Sequence, residues 1–370
     1  MTRSASNDPA FLQAFRAVVD GRIAEGERAL DALAEAGHAE AAHQWARLQL
    51  YDMVPTPDLA RAKSRLDGAA AAGSADARYT RALVEAGIGT RWLDDLLAAA
   101  NDGDVALAWR SLGLLFGRCG GDAQRFARHA FRRAAAAGDG LAAALLRQRL
   151  ASGESGEDAS VPRVDPISIA PHAQACGESG WQVSDGVLGD EECMAMKLLA
   201  SAQLRPSEAI DPHSGAGQRL RIRTSDDAVI DPLVEDVALV LARRRLCALA
   251  GVDARHAEPF VVLRYRPGQE YRLHRDTLPP SLLADPVQGR GGQRVATVIA
   301  YLANVEAGGE TVFPRRGLSV VPKRGAALAF RNVHADGRVD EDSLHAGQPV
   351  ARGEKWIATL WLRERPLRGF

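Results

Sequence analysis

Nine histidines and 47 acidic residues in 370 positions produce four His-x-acid triplets: His38-Ala39-Glu40, His256-Ala257-Glu258, His274-Arg275-Asp276 and His334-Ala335-Asp336. Chance alone predicts roughly one, so the spacing by itself does not choose among them. The choice rests on the element that carries each triplet. In an extended strand residues i and i+2 point the same way, so an imidazole nitrogen and a carboxylate oxygen can reach one metal ion. On a helix the same two positions diverge by about 200°. His274 and Asp276 follow "EPFVVLRY", which reads as a β-strand, whereas His38 falls in an alanine-rich helical stretch. His256 and His334 fall in connecting segments, and His334 is the strongest competitor. A second group with chemical consequences is Lys355. In "EKWIATLWLRER" strand alternation places Lys355, Ile357, Thr359 and Trp361 on one face and Trp356, Ala358, Leu360 and Leu362 on the other. If the first face points inward a lysine is buried, and an unpaired buried ammonium costs several kcal/mol unless it meets an anion.

The elements that must position these groups divide the chain in two. Through about residue 150 an alanine-rich phrase recurs, as in "LAEAGHAEAAHQWARL" and "AAAAGSADARYTRALV". Its glycines, Gly37, Gly73, Gly103 and Gly138, stand 36, 30 and 35 residues apart. A period of roughly 34 with helical apolar spacing predicts helix-turn-helix repeats, each glycine ending one helix and a His, Ser or Asp opening the next. The phrase resembles the Sel-one-like branch of the tetratricopeptide group, which implies a docking surface for a peptide or protein. We place this repeat domain at 1–151, a Gly-, Ser- and Pro-rich linker at 152–166 and a second domain at 167–370. In the second domain "QRVATVIAYLA", "LSVVP", "GAALAFRN" and "KWIATLWLRER" read as short strands, preceded by helices in "GDEECMAMKLLASAQL" and "IDPLVEDVALVLARRRLCALA".

Composition bounds the rest. With 46% hydrophobic and 25% charged residues the chain is long enough for two cores. A net charge of −1 gives no overall pull toward nucleic acid or an anionic membrane. The start lacks the charged, apolar, small-residue order of a signal peptide, and no run of about 18 apolar residues occurs, so a cytoplasmic protein is expected. Four scattered cysteines form no CxxC pair, which argues against a disulfide frame or a thiolate zinc site.

From Tyr265 onward four phrases follow in order: "YRPGQEYRLHRD", "RVATVIAYLANVEAGGETVFP", "SLHAGQPVARGEKW" and "IATLWLRER". Together they resemble the 2-oxoglutarate- and iron(II)-dependent dioxygenases of the prolyl 4-hydroxylase family, over about residues 180 to 365. Ala303 departs from the family pattern, with Asn304 directly after it. The resemblance implies a multidomain α plus β protein, in which an N-terminal α-helical repeat solenoid precedes a double-stranded β-helix, or jelly-roll, oxygenase domain. It implies His274, Asp276 and His345 as ligands of Fe(II), a facial triad that leaves three positions for 2-oxoglutarate and O2. It implies Lys355 on the far carboxylate of 2-oxoglutarate with Tyr265 and Thr311 beside it, Arg294 and Trp356 along a peptide cleft, and ascorbate as a further cofactor. Asp276 argues against a halogenase, which needs that position vacant. The expected reaction is hydroxylation of a prolyl residue in a peptide or protein held partly by the repeats. A hydroxylase of a free amino acid or small metabolite, and a catalytically silent repeat scaffold, are the alternatives. The segments 277–293 and 205–225 are expected to act as mobile lids, their glycines allowing closure.

Overall fold

The computed structural model describes residues 7–119, 121–151, 180–207, 209–210, 217–218 and 222–370. The linker expected over 152–166 lies outside them. Contacts divide the chain into two compact units, Met1–Ile169 with Asp236–Val240 and Arg368–Phe370, and Ala170–Glu235 with Leu241–Leu367.

The first unit is helical: α1 (Pro9–Val19), α2 (Ile23–Glu35), α3 (Ala39–Leu50), α4 (Leu59–Ala71), α5 (Ala75–Glu85), α6 (Arg91–Gly103), α7 (Ala106–Gly117), α8 (Asp122–Ala136) and α9 (Gly140–Ala151). Each helix packs on the ones before and after it in sequence, so apolar surface that one helical pair leaves uncovered is buried by the next. Trp45, Trp92, Trp109, Phe116, Phe126 and Phe131 are the large side chains of this core, set among buried alanines that let helix backbones approach.

Gly37, Gly73 and Gly138 take left-handed φ angles of +89°, +94° and +93° just beyond α2, α4 and α8. The residue after each opens the next helix. His38 Nδ1, Ser74 Oγ and Asp139 Oδ1 accept the backbone N–H three residues on at 3.2, 3.2 and 2.7 Å. His38 is therefore a cap preceding α3 rather than a residue within a helix. Gly103 differs from its three counterparts. It is the last residue of α6, and Asp104 takes the left-handed position at φ 49°. A Cβ on Gly103 would lie 2.1 Å from the Ala75 Cβ at the start of α5, so close approach is what this glycine provides.

The second unit is built from short antiparallel strands: β1 (Trp181–Ser184), β2 (Arg205–Pro206), β3 (Ala209–Ile210), β4 (Gly217–Gln218), β5 (Asp226–Val229), β6 (Val261–Tyr265), β7 (Tyr271–His274), β8 (Arg294–Tyr301), β9 (Ala307–Gly308), β10 (Thr311–Phe313), β11 (Leu318–Val320), β12 (Ala327–Arg331), β13 (His345–Gly347), β14 (Val350–Arg352) and β15 (Lys355–Arg363). Seven form one sheet in the order β1-β12-β8-β15-β6-β5-β2, and four form another, β11-β10-β13-β7. These are the two sheets of a jelly roll. Leu263, Tyr265, Ile299, Tyr301, Leu328 and Ile357 from the large sheet meet Phe313 and Val320 from the small one in a single core. The middle strands β8 and β15 are buried along nearly their whole length. The helix Asp190–Ser201 packs on β5 and β6. Among the described residues no helix is long and apolar enough to cross a membrane.

Candidate active site

The small sheet brings together two histidines that are far apart in sequence. β13 pairs with β7 so that His345 stands directly opposite His274, their ring centroids 4.1 Å apart. Asp276 lies two residues past His274, where the chain leaves the strand. His274 Nε2 is 3.6 Å from Asp276 Oδ1 and His345 Nε2 is 3.8 Å from Oδ2. One ligating atom from each of the three lies within 4.8 Å of the others, and no second such group occurs among the described residues.

The surroundings prepare these atoms to bind a cation. Each histidine directs Nδ1 at a backbone carbonyl, Arg272 O at 2.8 Å for His274 and Ser343 O at 2.9 Å for His345. A donating Nδ1–H there leaves the Nε2 lone pair facing the common point. Burial, reinforced by His345, pushes His274 down to about 3, so its imidazole is neutral at pH 7. Burial alone pushes Asp276 up, but the His345 and His274 imidazoles and the Thr297 hydroxyl outweigh it and hold the carboxyl below its usual range. Two imidazoles and one carboxylate on one side of a site are the donor set that suits Fe(II) with positions left open.

Lys355 begins β15 and pairs across the ladder with Tyr265 of β6. Its side chain is 2% exposed. Its Nζ donates one long hydrogen bond of 3.4 Å to Thr311 Oγ1 and lies 5.5 Å from the centroid of the Tyr265 ring. The Thr311 hydroxyl also accepts from Tyr301 Oη at 2.9 Å. Lys355 has no ion-pair partner among the described residues. Burial pushes its ammonium down to about 8, against the opposing pull of Glu310. One cleft joins Lys355 to the triad, and Arg223, Tyr265, Tyr271, Thr311, Thr359 and Trp361 are among its walls. A cation at one end and a metal-binding cluster at the other match a small dicarboxylate held by its two ends.

Residues 260–363 match the 2OG-Fe(II) oxygenase superfamily. The probable prolyl 4-hydroxylase 10 of Arabidopsis thaliana is 34% identical over 235 residues, 56% of this chain and 75% of that protein. The chain belongs to the prolyl 4-hydroxylase family of 2OG-Fe(II) oxygenases. Prolyl 4-hydroxylase 1 of the same plant is 35% identical over 193 residues, 48% of this chain and 66% of that protein. This chain spans 60 to 66% of the length of prolyl 4-hydroxylase 1 and of the probable prolyl 4-hydroxylases 4 and 7 of that plant. Among solved structures, the viral collagen prolyl hydroxylase of Paramecium bursaria Chlorella virus-1 in its 2OG complex is 27% identical, with a TM-score of 0.40 over 51% of this chain and 98% of that one.

Of the positions expected from sequence, His274, Asp276, His345, Lys355, Tyr265 and Thr311 all line the same cleft. Arg294 and Trp356 do not line it. Arg294 donates to both carboxylate oxygens of Glu258 at 2.8 Å, reaches Asp276 O at 3.4 Å, and stacks 3.9 Å over the Trp361 ring. Trp356 lies on the other face of β15, where its indole donates to Glu354 at 2.9 Å and Lys197 sits 5.2 Å from its ring. Alternation along β15 is the physical reason, since consecutive residues cannot share a face. Trp361, on the Lys355 face, is the tryptophan that reaches the cleft. His334 is half exposed, with Asp340 4.0 Å from it, and stands apart from the triad. His256 Nδ1 faces Arg363 O at 2.8 Å.

The segment 277–293, expected as a lid, is hydrogen-bonded at its base and to Arg363 of β15. Leu278 and Gln293 exchange hydrogen bonds of 2.6 and 3.0 Å at its base, and Arg363 donates to Gly292 O and Gln288 O at 2.8 and 2.6 Å. Its glycines serve close packing, a Cβ on Gly289 falling 2.1 Å from Leu283 O. Much of 205–225 lies outside the described residues. Sequence reasoning missed Thr297, which donates to Asp276 Oδ2 at 2.7 Å, and Asn332, which donates to Thr297 Oγ1 at 2.9 Å. The alternation of Thr297 with Ile299 and Tyr301 on β8 was the available signal.

Proposed function

We propose that this protein is a 2-oxoglutarate-dependent iron(II) dioxygenase that hydroxylates a prolyl residue within a peptide or protein. The observation that supports it is the meeting, in one cleft, of the His274, Asp276 and His345 ligand atoms with a buried Lys355 that has no ion-pair partner among the described residues. His274 and His345 through Nε2, and Asp276 through its carboxylate, would hold the iron. Iron with 2-oxoglutarate supplies the oxidation, in which O2 is divided between succinate and a substrate hydroxyl and CO2 is lost. Lys355 binds the remote carboxylate of the cosubstrate as a charge-assisted pair. Tyr265, whose phenol burial pushes up so that it stays protonated, and Thr311 stand beside that carboxylate as donors. Leu263, Ile299 and Ile357 keep the cosubstrate side of the cleft apolar, which excludes water and strengthens the pair.

The relatives named as prolyl 4-hydroxylases support proline as the substrate. The stacked helices, read as Sel-one-like repeats, support a macromolecular partner, since they present far more surface than a free amino acid could use. Ascorbate fits this reading as the reductant that keeps iron ferrous. The test is mass spectrometry of proline-containing peptides and of free proline after incubation with the full-length protein, Fe(II), 2-oxoglutarate and O2. One oxygen added to a peptidyl proline with matching succinate is the expected result. Hydroxylated free proline with untouched peptides overturns the macromolecular substrate.

A further inference from the structure

We infer that Asn332 and Thr297 are positioning residues that aim the Asp276 carboxylate at the metal, with Asn332 also anchoring the turn that presents His345. The inference rests on the metal-site reading above. Thr297, midway along β8, and Asn332, just past the end of β12, are both fully buried. The Thr297 hydroxyl gives its one proton to Asp276 Oδ2 at 2.7 Å, and the Asn332 amide gives one of its protons to the Thr297 oxygen at 2.9 Å. The chain has a direction. Were Asn332 to present its amide oxygen instead, Thr297 would turn its only proton toward it and leave Oδ2 without a donor. As the chain stands, Oδ2 carries the hydroxyl and Oδ1 faces His274 Nε2. The Asn332 Oδ1 atom is buried with no hydrogen-bond partner among the described residues, so this amide orientation is held at a cost that the Thr297 and Asp276 bonds offset.

The backbone of the same residue serves a second ligand. Asn332 N donates to Val295 O at 2.9 Å, tying it to β8, and Asn332 O accepts from Asp340 N at 2.9 Å. The Asp340 carbonyl then accepts Ser343 N at 3.0 Å and Ser343 Oγ at 2.7 Å. Ser343 O is the acceptor that fixes His345 Nδ1 at 2.9 Å. One residue thus connects, through its side chain, to the carboxylate and, through its main chain, to one imidazole.

Outer partners of this kind typically change metal affinity by about 10- to 100-fold when removed. The experiment is titration of the metal-free full-length protein with Co(II), following the visible ligand-field bands, with unfolding of the metal-free protein as the control for structure. Thr297→Val, nearly isosteric, and Asn332→Ala are expected to weaken Co(II) by about tenfold or more and to alter the band shape. Asn332→Asp, whose carboxylate competes for the Thr297 proton, is expected to lose at least as much. Thr297→Ser, which keeps the hydroxyl, is expected to restore the wild-type affinity and spectrum. Should Asn332→Ala not fold, Thr297→Val alone decides. Wild-type affinity and spectrum in folded Thr297→Val, with binding lost in His345→Ala, would overturn the inference and leave the metal site standing. Unchanged Co(II) binding in His345→Ala would overturn the metal site, and the inference with it.

Discussion

At the scale of the residue, the site depends on groups that burial would make costly if nothing bound to them. His274, Asp276 and His345 sit with their ligating atoms within 4.8 Å of one another. Replacing any one with Ala removes a donor the other two cannot substitute, so turnover should fall to background while the circular dichroism spectrum stays that of the parent. A variant that kept most of its iron-dependent turnover would show that its residue is not a ligand. Lys355 offers a sharper test through pH. Its ammonium titrates near 8 because burial lowers it. Below that pH the free protein already carries the charge that 2-oxoglutarate needs. Above it, binding must take up a proton, so the apparent Kd should rise by up to about tenfold per pH unit. Anaerobic calorimetry with Mn(II) in the metal site measures this, and a Kd flat from pH 7 to 10 would mean the lysine does not bind the cosubstrate. Lys355→Ala should weaken 2-oxoglutarate by about 100-fold, since a charge-assisted pair in a dry site contributes about 3 kcal/mol, and should abolish the pH dependence.

At the scale of the element, alternation and punctuation were legible and long-range register was not. Strand alternation in "EKWIATLWLRER" placed Lys355 and Trp361 on one face, and the structure puts both in the cleft. Trp356, expected along a peptide cleft, falls on the opposite face of β15 from Lys355 and outside the cleft that holds the triad. The opposition of His345 to His274 across β13 and β7 joins residues 71 positions apart, which no local pattern encodes. Thr297 is marked only by its place on the inward face of β8, where a Thr looks like any other β-branched core residue. In the helical unit three glycines follow the capping rule, and Gly103 shows where the rule stops. Gly103→Ala should gain about 1 kcal/mol of helix propensity. The 2.1 Å approach to Ala75 opposes it, and overpacking of this kind costs about 1–3 kcal/mol. The net expectation is a lower unfolding temperature for the helical transition. A raised one would mean that α5 and α6 can separate without loss.

At the scale of the whole molecule, a helical unit of stacked neighbours and a jelly roll with a two-ended cleft occur in one chain. If the helical unit holds the substrate, as proposed, a long proline-containing peptide should have a lower KM than a short peptide centred on the same proline, at similar kcat. Equal KM values for the two would assign the repeats to support alone. The central claim, that this cleft binds iron and 2-oxoglutarate together, needs no knowledge of the substrate to be tested. Under anaerobic conditions Fe(II) chelated by 2-oxoglutarate in such a site gives a visible charge-transfer band. The band should form in the full-length protein only when both are present, vanish in His345→Ala, and require far more 2-oxoglutarate in Lys355→Ala. A wild-type protein that forms no band with both present, or forms the same band in all three, would contradict the account.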